Sequence, residues 1–321
     1  MKKDQIIKLH KQVELCNPDL VAAWPGMGNV ALGAVDYLRR MLNAKLFAEI
    51  DLSDIFSPEM IVINDGIAEL PELPKNLFYY TQDPPVIFFE SDVQLGGTGA
   101  MSILQNIIDF SMSYGSKRIF TGAAYSLPIT HYSEPEIYGV GSSSDTRKYL
   151  SDFGVKPLAE GQISGMNGLI LGYAAKKNMD AVSLLATMPL YAVNMPNPKA
   201  SKAIVEKLCQ LIPLRQVDMT EIEAAISEVD KKMDILAESI KEFFPGIPGS
   251  EQKQLGEIDL AENARIGEDK IPPHVHNRIE KLFLESIKDK KKAYLLKSEL
   301  DRWNLYKTYE DRFLNLFRDK Q

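Results

Sequence analysis

The stretch Trp24-Pro25-Gly26-Met27-Gly28-Asn29 constrains the fold more than any other part of the chain. It joins a short apolar run, Leu20 to Ala23, to a helical pattern from Val30 to Leu42. Glycines between a strand and a helix let the backbone approach a ligand or partner closely. They do so at a helix N-terminus, whose free N–H groups favour negative charge. A second turn, Ser164-Gly165-Met166-Asn167-Gly168, again follows an extended segment and opens an apolar helix. Two such junctions suggest an α/β domain in which both turns border one cleft.

The first two hundred residues alternate short apolar runs with helical periods. Strands are predicted at Leu20–Ala23, Lys45–Ile50, Arg118–Ala123, Ile137–Gly141 and Ala181–Ala186. Helices are predicted at Val30–Leu42, Gly99–Tyr114, Gly165–Lys176 and Lys199–Leu211. The Gly99–Tyr114 helix carries an apolar stripe at Met101, Leu104, Ile107, Ile108 and Met112. Asn64-Asp65-Gly66, between Met60–Asn64 and Gly66–Glu69, is a tight-hairpin signal. Asp83-Pro84-Pro85, between Leu77–Thr81 and Val86–Glu90, marks a second hairpin. Alternation of strands and helices argues for a three-layer α/β/α domain, and the hairpins make its sheet mixed rather than purely parallel.

Pro213 ends this pattern, which places an α/β/α domain at residues 1–213 and a helical C-terminal extension at 214–321. Thr220-Glu221-Ile222-Glu223 has the form of a capping box. Behind it Ile222, Ile226, Val229, Met233, Leu236, Ile240 and Phe243 alternate spacings of four and three, a seam along which a helix packs on another. That neighbour is the sheet layer, a tail helix or a second subunit. Residues 245–272 read as a polar linker, and two further helical segments follow, about Val275–Ile287 and Tyr294–Phe317. The last has an apolar and aromatic face, from Leu296 to Phe317, that needs cover.

With 45% apolar and 25% charged residues the composition is that of a globular protein. A formal charge of −7 disfavours nucleic acid as a partner, because phosphate binding needs a concentrated basic face. The basic cluster Lys288 and Lys290 to Lys292 reads as a solvated helix face. Cys16 and Cys209 match no metal or redox spacing, and two cysteines suit a reducing compartment. Met1–Gln12 lacks a signal-peptide core, and no run reaches the roughly 20 apolar residues that span a bilayer. The expectation is a cytoplasmic protein with no membrane partner.

Gly26, Gly28 and Ala31 fit a permissive dinucleotide spacing, with Glu49 or Asp51 near the end of the next strand as a ribose-binding acid. No phosphate-loop lysine follows this turn, its echo, or the third cluster Gly96-Gly97-Thr98-Gly99, where Thr98 is a candidate helix cap. His131, in Pro128-Ile129-Thr130-His131-Tyr132-Ser133-Glu134, is a candidate polar partner of the cleft, and so is Glu90 in the cluster Glu90, Asp92, Gln94. His274 and His276 read as surface residues. The candidate ligand- or partner-binding cleft is therefore Trp24, Gly26, Met27, Gly28, Asn29, Glu90, Gln94, His131, Gly165, Asn167 and Gly168. No catalytic residue, metal ligand or cofactor is assigned.

Four stretches carry a family resemblance: Trp24–Asn29, Gly161–Leu169, Ser183-Leu184-Leu185-Ala186-Thr187-Met188-Pro189 and Pro198-Lys199-Ala200-Ser201-Lys202-Ala203. In order and spacing they resemble the signature of the proteasome assembly chaperone 2 family, over about Asp19 to Leu211. The resemblance implies an α/β/α domain similar to the nucleoside-phosphorylase type, a homo-oligomer, and a non-enzymatic assembly-factor role with a protein client. The chain ends Phe317-Arg318-Asp319-Lys320-Gln321, with lysine where the family's proteasome-docking tails carry tyrosine. A tail-in-pocket contact is therefore not expected. The alternative reading is a nucleoside- or nucleotide-binding protein, or a phosphorylase-like enzyme, that takes a small anion or nucleoside in the glycine-lined cleft.

Overall fold

The computed structural model describes residues 6–58, 60–214 and 217–243, and in the C-terminal part positions 279, 281–283, 286, 292–302, 309 and 312–313. Residues up to Lys253 form one compact unit and those from Gln254 a second.

The first unit begins with β1 (Ile7–Leu9), β2 (Asp19–Ala23), a 3-10 turn at Met27–Asn29, α1 (Val30–Met41) and β3 (Lys45–Ile50). The hairpins follow as β4 (Val62–Asn64) with β5 (Ile67–Glu69), and β6 (Asn76–Gln82) with β7 (Pro85–Ser91). Next come α2 (Gly97–Ser113), β8 (Arg118–Leu127), β9 (Ile137–Gly141), α3 (Ser144–Asp152) and β10 (Lys156–Pro157). The unit closes with α4 (Met166–Lys176), β11 (Asp180–Pro189), a 3-10 turn at Leu190–Ala192, α5 (Pro198–Leu211) and α6 (Thr220–Phe243).

Nine strands make one sheet in the order β1-β3-β6-β7-β2-β8-β11-β9-β10. The central four, β7, β2, β8 and β11, run parallel, and antiparallel pairs flank them. The sheet is thus mixed, as the β6–β7 hairpin requires, while β4 and β5 form a separate two-stranded sheet. Strand β2 is buried on both faces and so reads as an unbroken apolar run. Its residues alternate all the same. Leu20, Ala22 and Trp24 enter the core beneath α2 and α4, while Val21 and Ala23 enter the core beneath α1 and α5. These are the three layers.

Several local signals behave as the chemistry dictates. Asp65 and Gly66 both take positive φ, 49° and 80°, as a tight hairpin turn demands. Asn197 caps α5 by accepting the Ala200 N–H at 2.9 Å, and Pro198 occupies the first turn, where its missing N–H costs nothing. Other details differ from the sequence reading. The buried face of α2 runs through Ala100, Ile103, Leu104, Ile107 and Ile108, so Met101 and Met112 at the ends of the expected stripe are exposed. Thr98 lies inside α2 rather than capping it, and the cap position is Gly96. Helix α3 was not foreseen; Ser143 and Thr146 cap it reciprocally.

The first half of the heptad seam lies against the core of its own chain. Ile222 and Met233 are buried with α5, and Val229 packs beside them. The side chains of Leu236, Ile240 and Phe243 lie outside the described residues, as do the 245–272 linker, His274 and His276. In the second unit, α7 (Ala293–Arg302) contributes Ala293, Leu296 and Leu300 to a small cluster with Ile279, Phe283 and Phe313.

Candidate interaction site at the glycine turns

Open α/β sheets take ligands in the crevice outside the carboxyl ends of two neighbouring strands whose connections leave in opposite directions. Here those strands are β2 and β8. From β2 the chain passes through α1 to β3, on the β7 side, whereas from β8 it passes to β9, on the β11 side. The ladder between β2 and β8 ends at Val21–Phe120. Trp24 and Thr121 lie just beyond it.

Asn167, from the second glycine turn, fills that gap. Its Oδ1 accepts the Trp24 N–H at 3.0 Å and the Thr121 hydroxyl at 3.2 Å, while its Nδ2–H donates to the Trp24 carbonyl at 3.0 Å. A primary amide presents a donor and an acceptor side by side, as a strand backbone does, so Asn167 continues the ladder for one residue. It is 4% exposed. Gln94 makes a second clip: its Nε2–H donates to the Pro25 carbonyl and its Oε1 accepts the Met166 N–H at 2.9 Å. Gly26, Gly165 and Asn167 are thereby brought together with Trp24 and Gln94.

Glycine is required where the backbone is tightest. Gly28 has φ +60°, donates its N–H to the Val193 carbonyl at 2.8 Å and accepts the Asn197 N–H at 2.9 Å. A Cβ there would lie 2.9 Å from Met188 Cε. A Cβ on Gly168 would collide with the Ile163 carbonyl. Met27 is exposed at the surface of the turn, and Asn29 takes φ 46° at the head of α1 without a side-chain cap.

The other candidates lie elsewhere. Glu90 points to the α1 side of the sheet, where Arg39 Nε–H donates to it at 2.8 Å and the guanidinium stacks 4.4 Å from the Tyr79 ring centre. Burial pushes the Glu90 carboxyl up to about 7, against the lowering pull of Arg39. His131 is held by Tyr191 and Asp234. Tyr191 Oη accepts the His131 backbone N–H at 2.9 Å and lies 2.7 Å from Nδ1; Asp234 Oδ1 lies 2.8 Å from Nε2. Lys199 adds bonds to the His131 carbonyl at 2.7 Å and to Asp230 at 3.0 Å. The Tyr132 hydroxyl and His131 hold the Asp234 carboxyl below its usual range. This cluster ties α6 to the β8–β9 loop and α5, leaving a void of about 10 Å³. A larger cavity of about 150 Å³ opens at the start of β8, where Asp19 holds Arg118 through both carboxylate oxygens.

Glu49, a candidate ribose acid, pairs with Lys8 at 3.1 Å, and the Asp92 carboxylate accepts the Lys75 N–H at 3.2 Å. Among the described residues no group of three His, Cys, Asp or Glu could hold a metal. No helix among them is long and apolar enough to cross a membrane. Arg39, Thr121, Tyr191 and Asp234 were not anticipated, since each acts through a contact distant in sequence. Only Asn197-Pro198 carried a local signal, an N-cap before a first-turn proline.

A mixed nine-stranded sheet between helical layers, with the Asn167 amide bridging Trp24 of the β2 end to Thr121 of β8, defines a three-layer α/β/α domain with a further helix, α6, fastened to one layer. The sequence matches the PAC2 family over residues 20–237, and the chain belongs to that family. No curated protein matches it. Among solved structures it resembles PbaB of Pyrococcus furiosus, an archaeal proteasome activator, with a TM-score of 0.61 and 25% identity, covering 72% of this chain and 98% of that one. PbaA of the same organism, an archaeal homologue of proteasome-assembly chaperone, gives 0.57 and 24%, covering 74% and 98%. A proteasome-assembly chaperone homologue of Mycobacterium tuberculosis gives 0.57 and 18%, covering 77% and 100%, a likeness of fold.

Proposed function

We propose that this chain is a non-enzymatic, homo-oligomeric scaffold of assembly-factor type, which docks protein against protein through its α/β/α domain and helical extension. The observation that carries the reading is the Asn167 plug. A ligand between β2 and β8 would have to displace hydrogen bonds that the protein makes to itself, and Asn167 leaves no open polar group at the Trp24 backbone. The side-chain amides of Asn167 and Gln94 join turn to turn, and the Gly28 N–H is taken by the Val193 carbonyl, which favours a rigid platform over a phosphate cradle. Membership of the PAC2 family and 25% identity with PbaB favour a proteasome particle or subunit as the client class.

The test pairs a ligand screen with a client assay. Nucleosides, nucleotides and phosphate are expected to leave the melting temperature unchanged, while the chain co-sediments with purified archaeal proteasome core particles. A ligand at 100 times its dissociation constant would add about 2.7 kcal/mol, a visible shift. Such a shift, without co-sedimentation, would overturn the reading in favour of a nucleoside- or nucleotide-binding protein.

A further inference from the structure

Strand β8 runs on where one of its neighbours stops. It pairs with β11 without a shift from Arg118–Asp180 to Leu127–Pro189, but with β2 only at Ile119 and Phe120. The far half of β8 therefore has a strand on one side alone. Which backbone groups are left over follows from the register. Asp180 donates its N–H to the Lys117 carbonyl at 3.1 Å. The N–H and C=O of one strand residue point to one side, and those of the next residue point to the other. Lys117, Ile119 and every second residue as far as Leu127 thus face β11. Gly122, Ala124 and Ser126 face the side that β2 has left.

Among the described residues no other strand takes the place of β2 there. In a continued ladder Trp24 would bond Gly122 and Ala124, but its N–H and carbonyl go to Asn167 instead. The neighbouring turn is spent on itself and on the loop after β11: Asn29 N–H donates to the Gly26 carbonyl at 2.9 Å, and Gly28 bonds Val193 and Asn197. Ala123 to Leu127 are all partly exposed. The edge also lacks the devices that keep such edges unpaired, a charge, a proline or a bulge. From Ile119 to Leu127 the side chains are uncharged and the register is regular. Gly122, Ala123, Ala124 and Ser126 are small. Tyr125 stacks on Tyr138 of β9, ring centres 5.5 Å apart, and so reaches across β11 away from the open edge.

We propose that this free edge of β8 takes an extended segment of a client protein as an added strand, hydrogen-bonded to the backbone of Gly122, Ala124 and Ser126. The inference rests on the protein-docking reading above and names its chemistry, an extended peptide rather than a folded surface. Backbone donors and acceptors at strand spacing are complementary to another strand, whose main-chain bonds supply the affinity. The small side chains along the edge make few demands on the sequence of the segment. A partly buried edge without charge favours an uncharged segment, since no ionised group then loses its hydration. Asn167 stays in place at the inner end of the slot, and the added strand begins where its amide ends.

Residue-resolved hydrogen exchange of the full-length chain tests this, alone and with a heptapeptide of alternating threonine and valine. In the free chain the Ala124 and Ser126 amides should exchange at least roughly tenfold faster than those of Ala123 and Tyr125, which bond β11. The peptide should slow Ala124 and Ser126, and should bind Ala124→Pro or Ser126→Pro roughly tenfold more weakly. Neither substitution removes an N–H from the β11 ladder. The same peptide methylated on every backbone nitrogen keeps its side chains but loses its donors; it should not bind, which reads the point without any variant. Three results would overturn the proposal: Ala124 and Ser126 amides as slow as their neighbours in the free chain, no slowing with peptide, or equal binding of both peptides. Slowing that grows with protein concentration alone would give the edge to a second copy and overturn the client segment. Co-sedimentation of the wild type with core particles decides the protein-docking reading separately, so either can fail alone.

Discussion

Asn167→Ala tests the plug most directly. In the wild type the Asn167 amide satisfies the Trp24 N–H and carbonyl and takes the Thr121 hydroxyl. Trp24 and Asn167 are both buried. Truncation leaves two backbone groups without partners, and an orphaned buried group costs about 1–3 kcal/mol. A loss of about 3 kcal/mol is therefore expected, a lowering of the melting temperature by roughly 6–12 °C. Thr121→Val is the control. It removes one donor while Asn167 Oδ1 keeps the Trp24 N–H, so a loss of about 1 kcal/mol is expected. Urea unfolding followed by tryptophan fluorescence, at fixed protomer concentration, reads both. A loss below about 1 kcal/mol for Asn167→Ala, or equal losses for the two variants, would refute the argument that the amide stands in for a strand.

Further outcomes follow from the same geometry. Glu90 holds its proton more tightly folded than unfolded, about 7 against an ordinary 4.5, so its contribution is full below pH 4.5 and is lost as pH rises through about 7. Glu90→Gln should therefore gain on the wild type by up to about 3 kcal/mol between those limits, and a pH-independent difference would contradict this. Asp234 lies below its ordinary 3.8, so its contribution is present above pH 3.8 and is lost as pH falls through the folded value. Asp234→Asn should speed hydrogen exchange in α6 near pH 7 while leaving α1 unchanged; equal protection in both proteins would sink the idea that His131 and Asp234 fasten α6. Gly28→Ala, at φ +60° and against Met188, should cost roughly 1–3 kcal/mol in denaturant unfolding.

The layers of this fold were legible because their signals are local. The run Leu20–Ala23 reads as a strand whichever face each residue serves, and Asp65-Gly66 forces a hairpin wherever it lies. Helix α3 escaped notice because a short helix with only Tyr149 and Leu150 as large apolar residues shows no periodic stripe; its sole marker was the Ser143–Thr146 cap. The two glycine turns were recognisable as related, but not the way in which they meet. That depends on one amide reaching a backbone 143 residues away. Glu90 and His131 were noticed as polar groups in suggestive places, yet their partners Arg39 and Asp234 follow from tertiary packing that no spacing encodes.

Self-association and a filled crevice are the two properties on which the proposed role depends. Native mass spectrometry of the full-length protein reads both properties in one spectrum. The result expected is a multiple of the 36.0 kDa protomer with no retained small molecule, even after incubation with nucleosides and nucleotides. A single protomer carrying a bound nucleoside or nucleotide would contradict it.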